Sequence, residues 1–174
     1  MSSATLIPVS EYLETLYSPD CDYIDGELLE RNVGEREHSA LQAIIVSIFQ
    51  TNRRAWKVFG MPELRNQVSS SNYRVPDVCI VRATDPRDRI VRKAPLICIE
   101  ILSSGDTFLQ LRKKVDNYIG MGVEHIWTLD PWNRRGYVCT ATAFIQPESG
   151  ELVVPETPIK LVLAEIFAEL DEML

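Results

Sequence analysis

The sequence predicts an α/β (α+β) domain over residues 1–174, with a mixed central sheet flanked by helices and preceded by an N-terminal helix and a β-hairpin. Three observations carry that expectation. Apolar residues recur at helical spacing in "HSALQAIIVSIFQ". "LICIEIL" is apolar on both faces, as a strand at the centre of a sheet must be. Turn residues bound every such segment, and no repeat or linker divides the chain.

The elements follow in order. Val9 to Tyr17 is a short acidic amphipathic segment, and Asp25-Gly26 between apolar flanks in "DYIDGELLER" reads as a tight hairpin turn. Leu41, Ile44, Ile45, Ile48 and Phe49 place one stripe on a helix from about Ser39 to Arg54. Strands are expected around Val58 and over Leu64 to Val68. A turn at "SSSN" separates them from "YRVPDVCIV", which alternates as one strand. The basic connection "RATDPRDRIVRKAP" leads into "LICIEIL", and Ser103, Ser104 and Asp106 then offer caps for a helix marked by Phe108, Leu111, Val115, Tyr118 and Ile119. Gly120 and Gly122 end it. "EHIWTLD" and "GYVCTATAFI" read as two further strands, and Val162 to Leu174 as a closing helix.

A chain of 174 residues that is 45% apolar and 25% charged is one domain's worth and can bury a sizeable core. Cys21, Cys79, Cys98 and Cys139 never fall in a C-x-x-C spacing, so buried reduced thiols are expected rather than a zinc site or a disulfide framework. No basic-then-apolar leader opens the sequence, and no apolar run approaches the roughly 18 residues of a membrane span. A cytoplasmic protein is expected. Its net charge of −7 hides an uneven distribution, with acidic ends around a basic middle: residues 38–150 carry fifteen bases and ten acids. A phosphate-facing patch and a solvated surface both fit that middle.

The chemistry concentrates on two acids. Glu100 lies inside "LICIEIL", where an isolated ionised carboxylate is too costly to leave unpartnered. If "DVCIV" and "LICIE" pair antiparallel with Val81 facing Leu96, the same register sets Asp77 opposite Glu100. Side chains so opposed repel at roughly 5 Å unless a cation intervenes. Two hard oxygen ligands suit Mg2+ or Mn2+. The competing reading of Glu100 is a salt bridge to an arginine, and of Asp77 a turn residue after Pro76. On the following helix, Lys114 falls at the edge of the apolar stripe beside Tyr118, whereas Lys113 faces water.

Several short segments in the right order extend the resemblance beyond these residues: "YIDGELLE", His38 before a helix, "RVPDVCIV", "PLICIEILSSGD" and "KVDNYIGMGVEHIWTLDP". Together they resemble the Uma-two family of endonucleases, within the restriction-endonuclease-like PD-(D/E)xK superfamily. The resemblance implies that fold and a nucleic-acid substrate, DNA first. It implies Mg2+ (or Mn2+) held by Asp77, Glu100 and the main-chain carbonyl of Ile101. Leu102 stands where the superfamily's lysine belongs, two residues after Glu100. The family places that lysine on the next helix, and Lys114 with Tyr118 matches its K-x-x-x-Y pattern. Glu27 and His38 match accessory positions; a hairpin charge and a helix-start polar residue are the plain alternatives. His125 and Trp127 read as strand and packing residues, and Asp130 as a strand-ending turn.

Metal-dependent phosphodiester hydrolysis by Asp77, Glu100 and Lys114 is therefore the expected function. A catalytically silent nuclease-fold module that binds nucleic acid or protein competes with it, since Leu102 and the overall acidity argue against cutting. A glycosidase or esterase with two carboxylates lacks a positioned His or Ser nucleophile. The apolar closing segment "LVLAEIFAEL" can serve as core or as the interface of a homodimer.

Overall fold

The computed structural model describes residues 6–31 and 35–174. Helix α1 (Val9–Glu14) leads to the hairpin β1 (Asp22–Ile24) and β2 (Glu27–Leu29). Asp25 and Gly26, both at positive φ (51° and 92°), make the tight turn between them. These positive values are what a two-residue hairpin turn requires, and why Asp-Gly suits it.

Helix α2 (Arg36–Trp56) runs longer than the apolar stripe that predicts it. Its extra turns carry His38 at one end and Trp56 at the other. Then come β3 (Val58–Pro62), β4 (Asn66–Gln67), β5 (Tyr73–Arg74), β6 (Val78–Arg82) and β7 (Ile97–Ile101). Helix α3 (Phe108–Met121) crosses to β8 (His125–Asp130), followed by β9 (Arg135–Cys139), β10 (Phe144–Ile145), β11 (Glu151–Val153), β12 (Lys160–Val162) and α4 (Leu163–Met173).

Six strands form the main sheet in the order β10-β9-β8-β7-β6-β3. It is mixed: β7 and β8 are parallel, joined by the α3 crossover, and the other pairs are antiparallel. Helices α2 and α4 cover one face through Leu41, Ile45, Phe49, Ile166 and Leu170 packed on Val78, Ile80, Ile97, Ile99 and Trp127. Helix α3 covers the other through Val115 and Tyr118, against Cys98 and Ile126. Because β7 is covered on both faces, all five of its residues are buried, which is why it reads as a continuous apolar run. The apolar stripe of α4, Leu163, Ile166, Phe167 and Leu170, packs into this core.

Two expectations are corrected, and one element is added. "YRVPDVCIV" is not one strand, because the chain leaves a four-stranded sheet (β2-β1-β5-β4) after Arg74 and enters the main sheet at Val78. Pro76 has no N–H for a ladder, and Val75 N–H donates to Asp22 Oδ1 at 2.7 Å instead. "GYVCTATAFI" folds back on itself as β9 and β10, with a turn closed by Thr140 N–H donating to the Ala143 carbonyl at 2.8 Å. The β11–β12 hairpin precedes the closing helix and was not anticipated. Smaller shifts affect the caps. Thr107 and Gln110 cap α3 reciprocally, rather than Ser103 or Ser104, and Gly120 sits within the last turn while Gly122, at φ 93°, ends it.

The four cysteines are buried and free, as their spacing predicts. Trp127 is a core residue of β8, and Asp130 closes its strand by accepting from Trp132 and Asn133 N–H. Among the described residues no helix is long and apolar enough to cross a membrane.

Candidate active site

The ladder between β6 and β7 pairs Val78 with Ile99, Cys79 with Cys98 and Ile80 with Ile97. One step further in the same register would set Asp77 against Glu100; at the other end the ladder is irregular, because Leu96 N–H donates to the Ile80 carbonyl at 2.9 Å and Leu96 does not face Val81. Alternation along the strands puts both carboxylates on the face that α3 covers. The two strands part at this point, and Asp77 takes over the ladder's role: its Oδ2 accepts Ile101 N–H at 2.7 Å. That bond fixes the carboxylate's direction. Both acids are buried, at 4% and 3% exposure, deep enough that neither could be left without a cation or a donor.

Helix α2 approaches from one side. His38 and Gln42 lie one turn apart: His38 Nε2 is 3.3 Å from Asp77 Oδ1, and Gln42 Nε2 donates to the Asp77 carbonyl at 2.8 Å. Helix α3 approaches from the other side with a second i, i+4 pair. Lys114 Nζ donates to Glu100 Oε2 at 2.6 Å, and Tyr118 OH donates to Glu100 Oε1. Lys114 therefore reaches from the helix to the carboxylate that the strand residue Leu102 cannot serve. Lys113, its neighbour, is exposed. The helical wheel separates the two lysines because Tyr118 must point into the core, which carries Lys114 in with it.

Sequence reasoning missed three residues. Arg31, just after the hairpin, bonds Asp77 Oδ1 through Nη2, with Nη1 3.3 Å from Glu63 Oε1. Asp22 and Arg74 form a buried pair at 2.8 Å, and Arg74 Nε also donates to Asn117 Oδ1 on α3 at 2.8 Å. The only local signal was a charged residue beside an apolar hairpin; their partners lie far away in sequence. Glu27 is exposed on β2 beside the hairpin turn, and no contact between it and Asp77 or Glu100 is seen. Glu30, three residues on, instead borders the cleft beside the site.

That cleft, of about 290 Å3, lies between Leu29, Glu30 and Arg31 on one wall and Gln110, Lys113 and Lys114 on the other. A small cavity leads from it to Asp77, Ile101 and His38, with Arg31 and Lys114 bordering both spaces. Elsewhere, much of the chain's central positive charge is taken up in ion pairs, including Arg65 with Asp20 and Arg82 with Glu124.

The electrostatics separate the two acids. Burial would raise the Asp77 carboxyl, but the His38 hydrogen bond and the charges of Lys114, His38 and Arg31 overcome it and hold the group at about 2. Burial raises Glu100, the Asp77 charge adds to this, and Lys114 with the Tyr118 hydroxyl opposes it. The pair therefore ionises in two steps, Asp77 first. Burial opposes the Lys114 ammonium, but the carboxylates of Glu100, Asp22 and Asp77 prevail and raise it above its ordinary value. His38 is likewise raised, because its bond to Asp77 outweighs burial.

Among the described residues no three His, Cys, Asp or Glu side chains converge into a metal cage. Asp77 and Ile101 border one small cavity, and Glu100 and Ile101 border an adjoining one, with Lys114 on both. An oxygen set of this kind fits Mg2+ or Mn2+, which keep several waters and need only one or two carboxylates. It does not fit zinc, which takes four protein ligands or three and a water.

Comparisons with known proteins agree with this architecture. The family model Uma2, described as "Putative restriction endonuclease", matches residues 9–168. The crystal structure of "a putative nuclease belonging to DUF820" from Anabaena variabilis superposes with a TM-score of 0.80 at 21% identity, covering 94% of this chain and 99% of that one. The chain thus shares that protein's fold. No curated protein matches it. With a family model spanning all but the two ends of the sequence, the chain belongs to the Uma2 family of restriction-endonuclease-like proteins.

Proposed function

We propose that the protein is a divalent-metal-dependent endonuclease that hydrolyses phosphodiester bonds of nucleic acid, DNA first, with Mg2+ or Mn2+ as cofactor. One observation carries this reading: Asp77, one residue before the β6–β7 ladder, accepts the N–H of Ile101 next to Glu100, and Glu100 carries the Lys114 ammonium. Neighbouring carboxylates repel, so an acid pair buried at a cleft is costly unless cations use it. Asp77, Glu100 and the Ile101 carbonyl would hold the metal. A bound divalent ion supplies Lewis acidity at the phosphoryl oxygen and an acidified water.

The remaining work falls to the chain's own groups. Ile101 N–H and His38 hold the Asp77 carboxylate in one orientation, and Tyr118 holds Glu100. Lys114, kept as an ammonium by three carboxylates, would donate to the phosphoryl oxygen on which negative charge grows, and stabilise it. An ammonium held in that state serves as a donor and not as a base.

The test is cleavage of supercoiled plasmid, duplex oligonucleotide and RNA with Mg2+ or Mn2+. Cutting that falls at least about a hundredfold in Asp77→Asn, Glu100→Gln and Lys114→Met supports the reading. No metal-dependent cutting by the wild type, or undiminished cutting by Asp77→Asn, removes it. The second reading, a silent nuclease-fold module, draws on the fact that every oxygen of the two carboxylates already accepts a hydrogen bond or faces a cation within the chain. It expects no rise in melting temperature on adding Mg2+, whereas a metal site expects one.

A further inference from the structure

Arg31 stands on the carboxylate to which the metal is assigned above. Its side chain is 8% exposed, held between Asp77 on the inside and Glu63, 46% exposed, on the outside. Burial works against its charge, yet Asp77, Glu100 and Glu63 keep the guanidinium fully protonated.

A count of charges shows what a divalent ion would meet. Asp77 and Glu100 contribute two negative charges, and Arg31 and Lys114 two positive ones. With the buried Asp22–Arg74 pair cancelling, the buried centre is neutral when His38 is uncharged. A metal added to it would leave two excess positive charges largely out of water, a cost that favours rearrangement. Moving one resident cation toward solvent halves that excess. Lys114 is held from within, on a carboxylate that Tyr118 also anchors. Arg31 has a second acceptor already in contact on the solvent side, and it borders the 290 Å3 cleft into which a side chain can move.

We propose that Arg31 is a built-in stand-in for the metal: its guanidinium occupies Asp77 in the metal-free protein, and divalent-ion binding expels it toward Glu63 and the cleft. The inference rests on the metal site proposed above. It makes the metal-free chain stable without its ion, because Asp77 never lacks a cation. It also weakens ion binding, since every ion must first displace Arg31.

Calorimetric titration of Mn2+ into the wild type and Arg31→Met tests this without reference to activity. Methionine keeps an apolar stem and removes the competing charge. The expected result is Mn2+ affinity at least about tenfold tighter in the variant, the scale set by deleting a unit charge a few ångströms from the ligand. If both proteins bind Mn2+ equally, Arg31 is a structural ion pair and the inference fails while the metal site stands. If neither binds, the metal site fails and takes the inference with it. Should Arg31→Met not fold, Mn2+-soaked crystals of the wild type decide the matter. A guanidinium that has left Asp77 Oδ1 for Glu63 supports displacement, and one still on Asp77 beside a bound ion overturns it.

Discussion

Lys114→Met removes an ammonium 2.6 Å from Glu100 Oε2, in a pair whose side chains are 20% and 3% exposed. Breaking a buried ion pair from one side costs about 3–5 kcal/mol, because the other charge stays behind. Here Tyr118 still donates to Glu100, and the partial exposure of Lys114 admits water, so about 2–3 kcal/mol is expected at pH 7.5 without metal. The loss must depend on pH. Glu100 is already raised by burial, and removing Lys114 deletes the largest opposing influence. A carboxyl raised in the folded state stabilises the fold below its unfolded value, and that contribution is lost as pH rises through the folded value. The deficit of the variant should therefore be small near pH 4 and full near pH 8. Urea unfolding followed by circular dichroism, in EDTA and across that range, measures it. Adding Glu100→Gln to Lys114→Met should recover most of the loss at pH 8, since no buried charge then remains unpaired. A single variant as stable as the wild type at pH 8, or a double variant no better than the single, would refute the coupling.

Three further outcomes follow from the same geometry. Asp77, held at about 2, stabilises the fold above its unfolded value near 4, and that contribution of ~2 kcal/mol is lost as pH falls toward 2; acid unfolding of Asp77→Asn should show a shallower limb there, and an unchanged limb contradicts this. Gly60→Ala should cost about 1–3 kcal/mol in urea unfolding, because its Cβ would lie 2.8 Å from Phe49 Cβ and relief requires moving α2; a neutral result means the helix shifts freely. The thiols Cys98 and Cys139, raised by burial in the cluster that α3 covers, should react with a thiol reagent far more slowly in the native protein than in the urea-unfolded one, and rapid native labelling of either contradicts the packing of α3.

The central pairing was legible in the sequence for a specific reason. "DVCIV" and "LICIE" are apolar on both faces and separated by a turn-rich connection, so their antiparallel pairing was readable. The register that brings Asp77 toward Glu100 was an assumption, and the pairing of Val81 with Leu96 on which it was built is not formed, since Leu96 N–H bonds the Ile80 carbonyl. Lys114 was legible because helical periodicity alone separates it from Lys113. What stayed hidden depends on contacts between distant segments. Arg31 meets Asp77 across 46 residues, and Arg74 meets Asp22 across 52, and no local pattern records such pairings. The division of "YRVPDVCIV" was hidden for the same reason. Pro76 hinted at it, but the Asp22 carboxylate that captures Val75 N–H comes from the hairpin. His38 was singled out alone, although His38 and Gln42 at i, i+4 already form the polar edge of α2 that reaches Asp77.

The proposal that Asp77 and Glu100 hold one divalent ion between them is tested most directly by Mn2+ binding followed by electron paramagnetic resonance. One Mn2+ per wild-type chain is expected, and none in Asp77→Asn or Glu100→Gln, with both variants folded by circular dichroism. A wild type that leaves Mn2+ free in solution, or variants that bind it undiminished, would contradict it.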